Sequence, residues 1–259
     1  MKILKSLFWL FASLSLGLVG TSMLWQEAAQ AADHLNLEEG IPLEVEDAYP
    51  VPYKGRELQG VFRYERNDGE DILLFEPRIE YGFAPNWQGR IAVPFEFGSG
   101  VEDGLGDVGL ELFYNFNAEG LELPAFAVSV GADFPTGDNS AGVDPTVKFI
   151  TTKTLGTGEN LDRLHLNLSY TYNDQNRTAE RSHLFGATLG YSRRLNSETL
   201  LVTDLVYEQE KEENEDVLLL ELGARYQLTP LSVLAIGAGA GLTGDSPDFR
   251  ITGAFQYSF

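Results

Sequence analysis

The stretch Leu73-Leu74-Phe75-Glu76-Pro77-Arg78-Ile79-Glu80-Tyr81-Gly82-Phe83 alternates residue by residue. Leu73, Phe75, Ile79, Tyr81 and Phe83 fall on one face, and Glu76, Arg78 and Glu80 on the other. A period of two is the signature of a β-strand, because successive side chains point to opposite faces. Three ionised groups in mid-strand require that the second face meet water or countercharge.

The same pattern recurs on both sides of this stretch. Trp87, Ile91, Val93, Phe95 and Phe97 oppose Arg90, Ala92, Pro94 and Glu96. Val108, Leu110, Leu112, Tyr114 and Phe116 oppose Gly109, Glu111, Phe113 and Asn115. Leu164, Leu166, Leu168, Tyr170 and Tyr172 oppose Arg163, His165, Asn167, Ser169 and Thr171. The last such stretch sets Phe249, Ile251, Phe255, Tyr257 and Phe259 against Arg250, Thr252, Gln256 and Ser258. Read through the chain, the alternation predicts about twelve strands, starting near residues 57, 71, 87, 108, 123, 142, 163, 182, 199, 217, 231 and 249. Strands of about ten residues tilted near 40° rise about 25 Å, the height of the apolar band of an outer-membrane barrel.

Two observations decide which face is inside. Charges of both signs lie deep in the strands: Glu76, Arg78, Glu80, Arg90, Glu96, Glu111, Lys148, Arg163, Glu221 and Arg225. Such groups suit a confined wet lumen in which they pair. Aromatics on the apolar face recur near strand ends (Phe83, Trp87, Phe97, Tyr172, Tyr191, Tyr207, Tyr226, Tyr257), as in interfacial girdles. The expected fold is therefore all-β: a transmembrane, antiparallel, up-and-down β-barrel with greasy side chains outward. Short connections such as 84–86, 117–120, 196–198 and 229–230 alternate with longer ones, which puts both barrel termini on the short-turn, periplasmic rim. Residues 154–162 are longer than that side predicts.

The chain begins with Lys2 and Lys5, an apolar run from Leu7 to Val19, and Ala29-Gln30-Ala31. This is the pattern of a secretory signal peptide, residues 1–31. Residues 32–56 carry Asp33, Glu38, Glu39, Glu44, Glu46 and Asp47 with Pro42, Pro50 and Pro52, and read as an acidic periplasmic tether. Residues 57–259 make the barrel, placed in the cell outer membrane with its lipids as partners.

Composition removes other classes. The 259 residues hold 18 Lys and Arg against 39 Asp and Glu, a net charge of −21, so nucleic acid is not an expected partner. With no cysteine, thiol catalysis, disulfides and thiolate metal sites are excluded. Of the three histidines, His165 lies four residues from Ser169 on one strand, about 13 Å and too far for proton transfer. No Ser-His-acid set is read, and neither enzyme activity, a cofactor nor a metal ligand set is expected. The acidic run from Glu208 to Asp216 is a solvated loop, or a divalent-cation contact near lipopolysaccharide phosphates.

Short motifs carry a resemblance. Gln256-Tyr257-Ser258-Phe259 resembles the terminal signal read by the bacterial barrel-assembly machinery, which implies that machinery as a partner through Phe259. The stretches Gly104-Leu105-Gly106-Asp107-Val108, Gly131-Ala132-Asp133-Phe134-Pro135-Thr136-Gly137 and Tyr226-Gln227-Leu228-Thr229-Pro230-Leu231-Ser232 are similar to the outer-membrane barrel family named for the meta-pathway of phenol degradation. That family often has Lys-Tyr where this chain has Phe113-Tyr114. The resemblance implies passage of small, aromatic or hydrophobic molecules. The charged wall is then the expected pathway of a channel or transporter. Two alternatives stay open: a non-conducting structural barrel, its lumen plugged by ion pairs or by residues 32–56, and a soluble periplasmic binding barrel.

Overall fold

The computed structural model describes residues 31–259 apart from 100, 102, 138–141, 157–160 and 175–179. Fourteen strand segments close on themselves through the pairing of β1 (Arg56–Asn67) with β14 (Phe249–Ser258). The others are β2 (Glu70–Ala84), β3 (Trp87–Ala92), β4 (Phe95–Gly98), β5 (Gly104–Leu105), β6 (Val108–Asn115), β7 (Ala125–Phe134), β8 (Asp144–Leu155), β9 (Asp162–Tyr172), β10 (His183–Arg194), β11 (Thr199–Gln209), β12 (Asp216–Thr229) and β13 (Ser232–Gly241).

These segments make a closed barrel of twelve antiparallel staves. β3 and β4 both pair with β2 and form one stave, broken at Val93-Pro94. β5 and β6 form the next, broken at Gly106-Asp107. Proline has no N–H for a ladder, so Pro94 interrupts the pairing. Its carbonyl accepts the Gly106 amide at 2.9 Å instead. Eleven of the twelve staves begin within two residues of their predicted starts; the fourth opens at Gly104, four residues before the predicted 108, where its longer segment β6 starts. One hairpin on the long-loop rim is tight: Asp68 and Gly69, both at positive φ, turn β1 into β2 as an Asp-Gly hairpin turn does.

The apolar face points outward. Ile79, Ile91, Leu112, Leu222 and Ile236 are 54%, 51%, 52%, 56% and 65% exposed, whereas Glu80 and Arg225 are fully buried. Rings gather at the short-turn rim, with Trp87 packed at a tilt between Phe83 and Tyr114 at 6.0 and 4.6 Å. Tyr170, His183 and Phe185 cluster at the opposite rim.

Residues 32–56 do not form an external tether. The segment from Asp33 to Pro52 runs inside the barrel as a plug, where Leu37, Glu38, Ile41, Leu43, Val45, Glu46, Asp47, Ala48 and Val51 are all buried. Only the last residues of the range leave it, and Arg56 already starts β1. Acids and prolines suggested a solvated linker. The lumen instead supplies the countercharge they need, and the apolar residues among them find small wall cores. Leu37, Leu43 and Val45 pack with Leu200 and Val202, Ile41 with Val61, Ala235 and Ala254, and Ala48 with Phe113, Ala127 and Ile150.

The wall is thinned to receive the plug. Side chains at Gly223 and Gly237 would come within 2.8 Å of Pro42 and 2.7 Å of Leu43, and one at Gly190 would collide with Val45. The expected signal peptide lies outside the described residues, except Ala31. The connection 154–162 is described only at its ends.

Candidate functional site

The lumen wall treats the plug as a guest strand and satisfies its backbone with side chains. Buried amides and carbonyls need partners, and an isolated extended segment has no ladder to provide them. Val45 N–H donates to Asp204 Oδ2 at 2.9 Å, Ala48 N–H to Thr152 Oγ1 at 3.0 Å, and Val51 N–H to Gln88 Oε1 at 2.6 Å. Asn167 holds both sides of Glu46, accepting its amide at 2.8 Å and donating to its carbonyl at 2.9 Å. Asn115 donates to the Ala48 carbonyl at 2.6 Å.

Of the ten residues predicted to line the pathway, Glu80, Arg90, Lys148, Glu221 and Arg225 are buried and Glu76, Arg78, Glu96, Glu111 and Arg163 half-buried. Arg78 and Arg90 pair with the wall acids Glu76, Glu80 and Glu111 and also reach the plug, whereas Lys148, Arg163 and Arg225 turn mainly to the plug. Lys148 Nζ meets Glu39 at 2.7 Å and Glu46 at 3.0 Å. Arg90 pairs with Glu111 at 2.6 Å, Glu39 at 3.3 Å and Glu80 at 3.7 Å. Arg78 binds Glu76 and the Glu39 carbonyl. Arg163 donates to the Leu35 carbonyl at 3.0 Å and covers the Tyr49 ring at 5.1 Å. Arg225 donates to the carbonyls of Ile41 at 2.8 Å and His34 at 3.2 Å, and to Gln256 Oε1 at 2.6 Å. Glu221 lies 3.7 Å from Arg250. Glu96 is half-buried nearer the long-loop rim, with no ion pair among the described residues.

Sequence reasoning missed Arg63 and Arg250, which clamp Glu44 from two neighbouring strands, Arg250 at 2.8 Å. Both lie on lumen-facing positions of their strands, so face assignment alone would have found them. On the long-loop side of the plug lies a cavity of about 300 Å³, lined by Glu39, Arg78, Arg90, Asp133, Lys148 and Glu208 among others. Neither Asp133 nor Glu208 makes an ion pair among the described residues.

The Ser-His question is answered across strands rather than along one. His165 Nε2 lies 3.0 Å from Ser192 Oγ, and its Nδ1 lies 3.1 Å from Thr152 Oγ1. His165 and Ser192 are each 1% exposed, so the pair has no access to a substrate.

The three motifs that carry the resemblance latch loops and plug. Gly137 N–H donates to Asp107 Oδ1 at 3.1 Å, and Thr136 Oγ1 to the Gly106 carbonyl at 3.0 Å, which joins the first motif to the second. The third receives the start of the plug: Ala32 N–H donates to the Pro230 carbonyl at 2.9 Å, and His34 Nδ1 sits 2.9 Å from Gln227 Oε1.

Glu119, in the turn between β6 and β7, anchors the plug's far end. It accepts Tyr49 Oη at 2.9 Å, the Thr154 amide at 2.6 Å and Lys153 Nζ at 3.0 Å. Partial burial pushes its acid up, but these donors outweigh that and hold it at about 2. A depressed carboxylate contributes stability that is complete above its ordinary value of 4.5 and lost as pH falls through about 2. Pepsin is therefore expected to cut near Tyr49 only at about pH 2 in the native chain, and already at about pH 4 in Glu119→Gln. Equal cleavage of the two at pH 4 would remove this anchor.

A closed barrel with an apolar perimeter and a charged interior defines the chain as an outer-membrane-type β-barrel. Residues 49–259 match the model of the family described as "Putative MetA-pathway of phenol degradation", and the chain belongs to that family. No curated protein matches it by sequence. Among solved structures it is similar to an outer membrane channel from Pseudomonas putida F1, with TM-score 0.64 and 13% identity over 86% of this chain and 100% of that one. The NanC porin gives TM-score 0.53 and 12% identity, covering 79% of this chain and 100% of the porin. The KdgM porin gives 0.51 and 12%, covering 78% and 99%.

Proposed function

We propose that this protein is an outer-membrane channel for small molecules whose lumen is closed at rest by residues 33–52, after export directed by residues 1–31. The observation that carries this reading is the docking of the plug. Lys148, Arg90, Arg163 and Arg225 hold it through ion pairs and carbonyls, which can exchange for water or solute, rather than through one continuous core. The fold it shares with proteins described as a channel and porins is consistent with it. The charged cavity suits small polar solutes better than the aromatic or hydrophobic ones the resemblance implies. Membrane lipids cover the perimeter, and Phe259 at the end of the closing strand is offered to the assembly machinery.

The chain's acid excess, with Asp133 and Glu208 in no ion pair among the described residues of the cavity wall, favours cations through the local potential. Channels reconstituted in a planar bilayer under a salt gradient are expected to give a cation-selective reversal potential. An anion-selective one overturns that preference. The plug itself favours a second reading, a non-conducting structural barrel. In that case liposomes carrying the protein admit no sugar or amino acid, even when the plug is loosened. A soluble binding barrel is disfavoured by the exposed leucines and would fractionate without detergent.

A further inference from the structure

Three carboxylates converge where the start of the plug meets the β1–β2 wall. Glu57 and Glu80 are cross-strand partners facing the lumen, and Glu38 reaches them from the plug. One oxygen of each lies within 4.8 Å of the others, and the residues are 5%, 0% and 2% exposed. Among the described residues, both oxygens of Glu80 and one of Glu38 lack a hydrogen bond. A neutral group is aimed at the same point. Gln59 is fully buried and directs its amide nitrogen at Glu38 and Glu57, while its amide oxygen has no partner.

The nearby bases leave this trio under-compensated. Arg90 stands 3.7 Å from Glu80, and its other terminal nitrogen serves Glu111 and Glu39. Arg225 is committed to carbonyls and Gln256. The contrast is with Glu39, Glu46 and Glu111, a second carboxylate trio in which Lys148 and Arg90 make direct contacts. A buried carboxylate needs hydrogen-bond donors, a proton, a base or a metal ion, and Glu80 and one oxygen of Glu38 have no donor among the described residues. Three carboxylates and an amide oxygen, with no nitrogen or sulfur ligand, are the hard and irregular donor set that calcium accepts. Gln256 and Ser258 donate to Glu57 at 2.7 and 3.1 Å and fix its orientation from behind.

We infer that Glu38, Glu57, Glu80 and the rotated amide oxygen of Gln59 form a calcium-type divalent-cation site that fastens the plug to the barrel wall. The inference does not depend on conduction. The test uses the full mature protein in detergent, stripped with chelator, dialysed against calcium and analysed for bound metal and by calorimetric titration. One calcium per chain is expected, together with a higher unfolding temperature in calcium than in chelator. Binding should weaken at least about tenfold in both Glu38→Gln and Glu80→Gln. It should be unchanged in a Glu212→Gln, Glu213→Gln double variant of the acidic loop. Glu38 is on the plug, so its variant leaves the strands intact, and a heat-modifiable gel shift verifies the barrel in each case. No binding at about 10 mM calcium overturns the site and leaves a shared proton as the explanation. Binding unaffected by Glu38→Gln and Glu80→Gln overturns it too and moves the ion to the loop.

Discussion

Arg225→Met is expected to raise the open probability of the channel at least about tenfold, the largest functional effect of any single substitution in this lumen. Arg225 is fully buried and ties together the two ends of the plug's first loop, through the carbonyls of His34 and Ile41, and links them to Gln256 on β14. Hydrogen bonds from a charged donor contribute about 1.5–3 kcal/mol each, and their loss leaves buried carbonyls unsatisfied. Every 1.4 kcal/mol removed from the docked state raises the ratio of open to closed about tenfold. Gly190→Val attacks the same equilibrium sterically, by placing a side chain where Val45 sits. Single-channel recording of both variants, with the gel shift verifying a folded barrel, is the measurement. If both variants expose the plug to protease while the current stays at the native level, the plug is not the gate and the structural-barrel reading prevails.

The second large effect concerns stability. Leu222→Arg is expected to cost about 2–4 kcal/mol and to abolish the heat-modifiable, detergent-resistant form, because the charge would lie in hydrocarbon near the middle of a stave. Leu222 is 56% exposed on β12, directly beside the fully lumenal Glu221. On a soluble barrel the same exposed position would accept arginine within about 0.5 kcal/mol. Comparison of Leu222→Arg with Leu222→Ile in refolding into detergent or lipid separates the two environments. Equal refolding yields would mean that the perimeter faces water.

The strands were legible because each records its environment locally. In Leu73–Phe83 the lipid face and the lumen face alternate at every residue, and a one-residue slip would put Glu80 into lipid. The charged face of the strands was legible for the same reason. The partners its charges find on the plug were not. Alternation assigns a face but is silent on what occupies the space in front of it. His165 was compared with Ser169 along its own strand, while its partner Ser192 came from the next strand by register.

Residues 32–56 read first as a tether, with a plug kept open only as an alternative, and part of the plug's signal was available. Glycines at lumenal positions 190, 223 and 237 mark a wall approached closely by something else, and Leu37, Ile41, Leu43 and Val45 space apolar residues through the acidic stretch. Local sequence determined the alternation, the number of staves, the direction of the greasy face and the charge of the interior, because each follows from neighbours one or two residues away. Only the closed barrel decided that an acidic, proline-bearing segment would lie inside. The groups that hold it (Asp204 for Val45, Asn167 for Glu46, Arg225 for Ile41) stand more than a hundred residues away along the chain and come together only when the first and last strands pair.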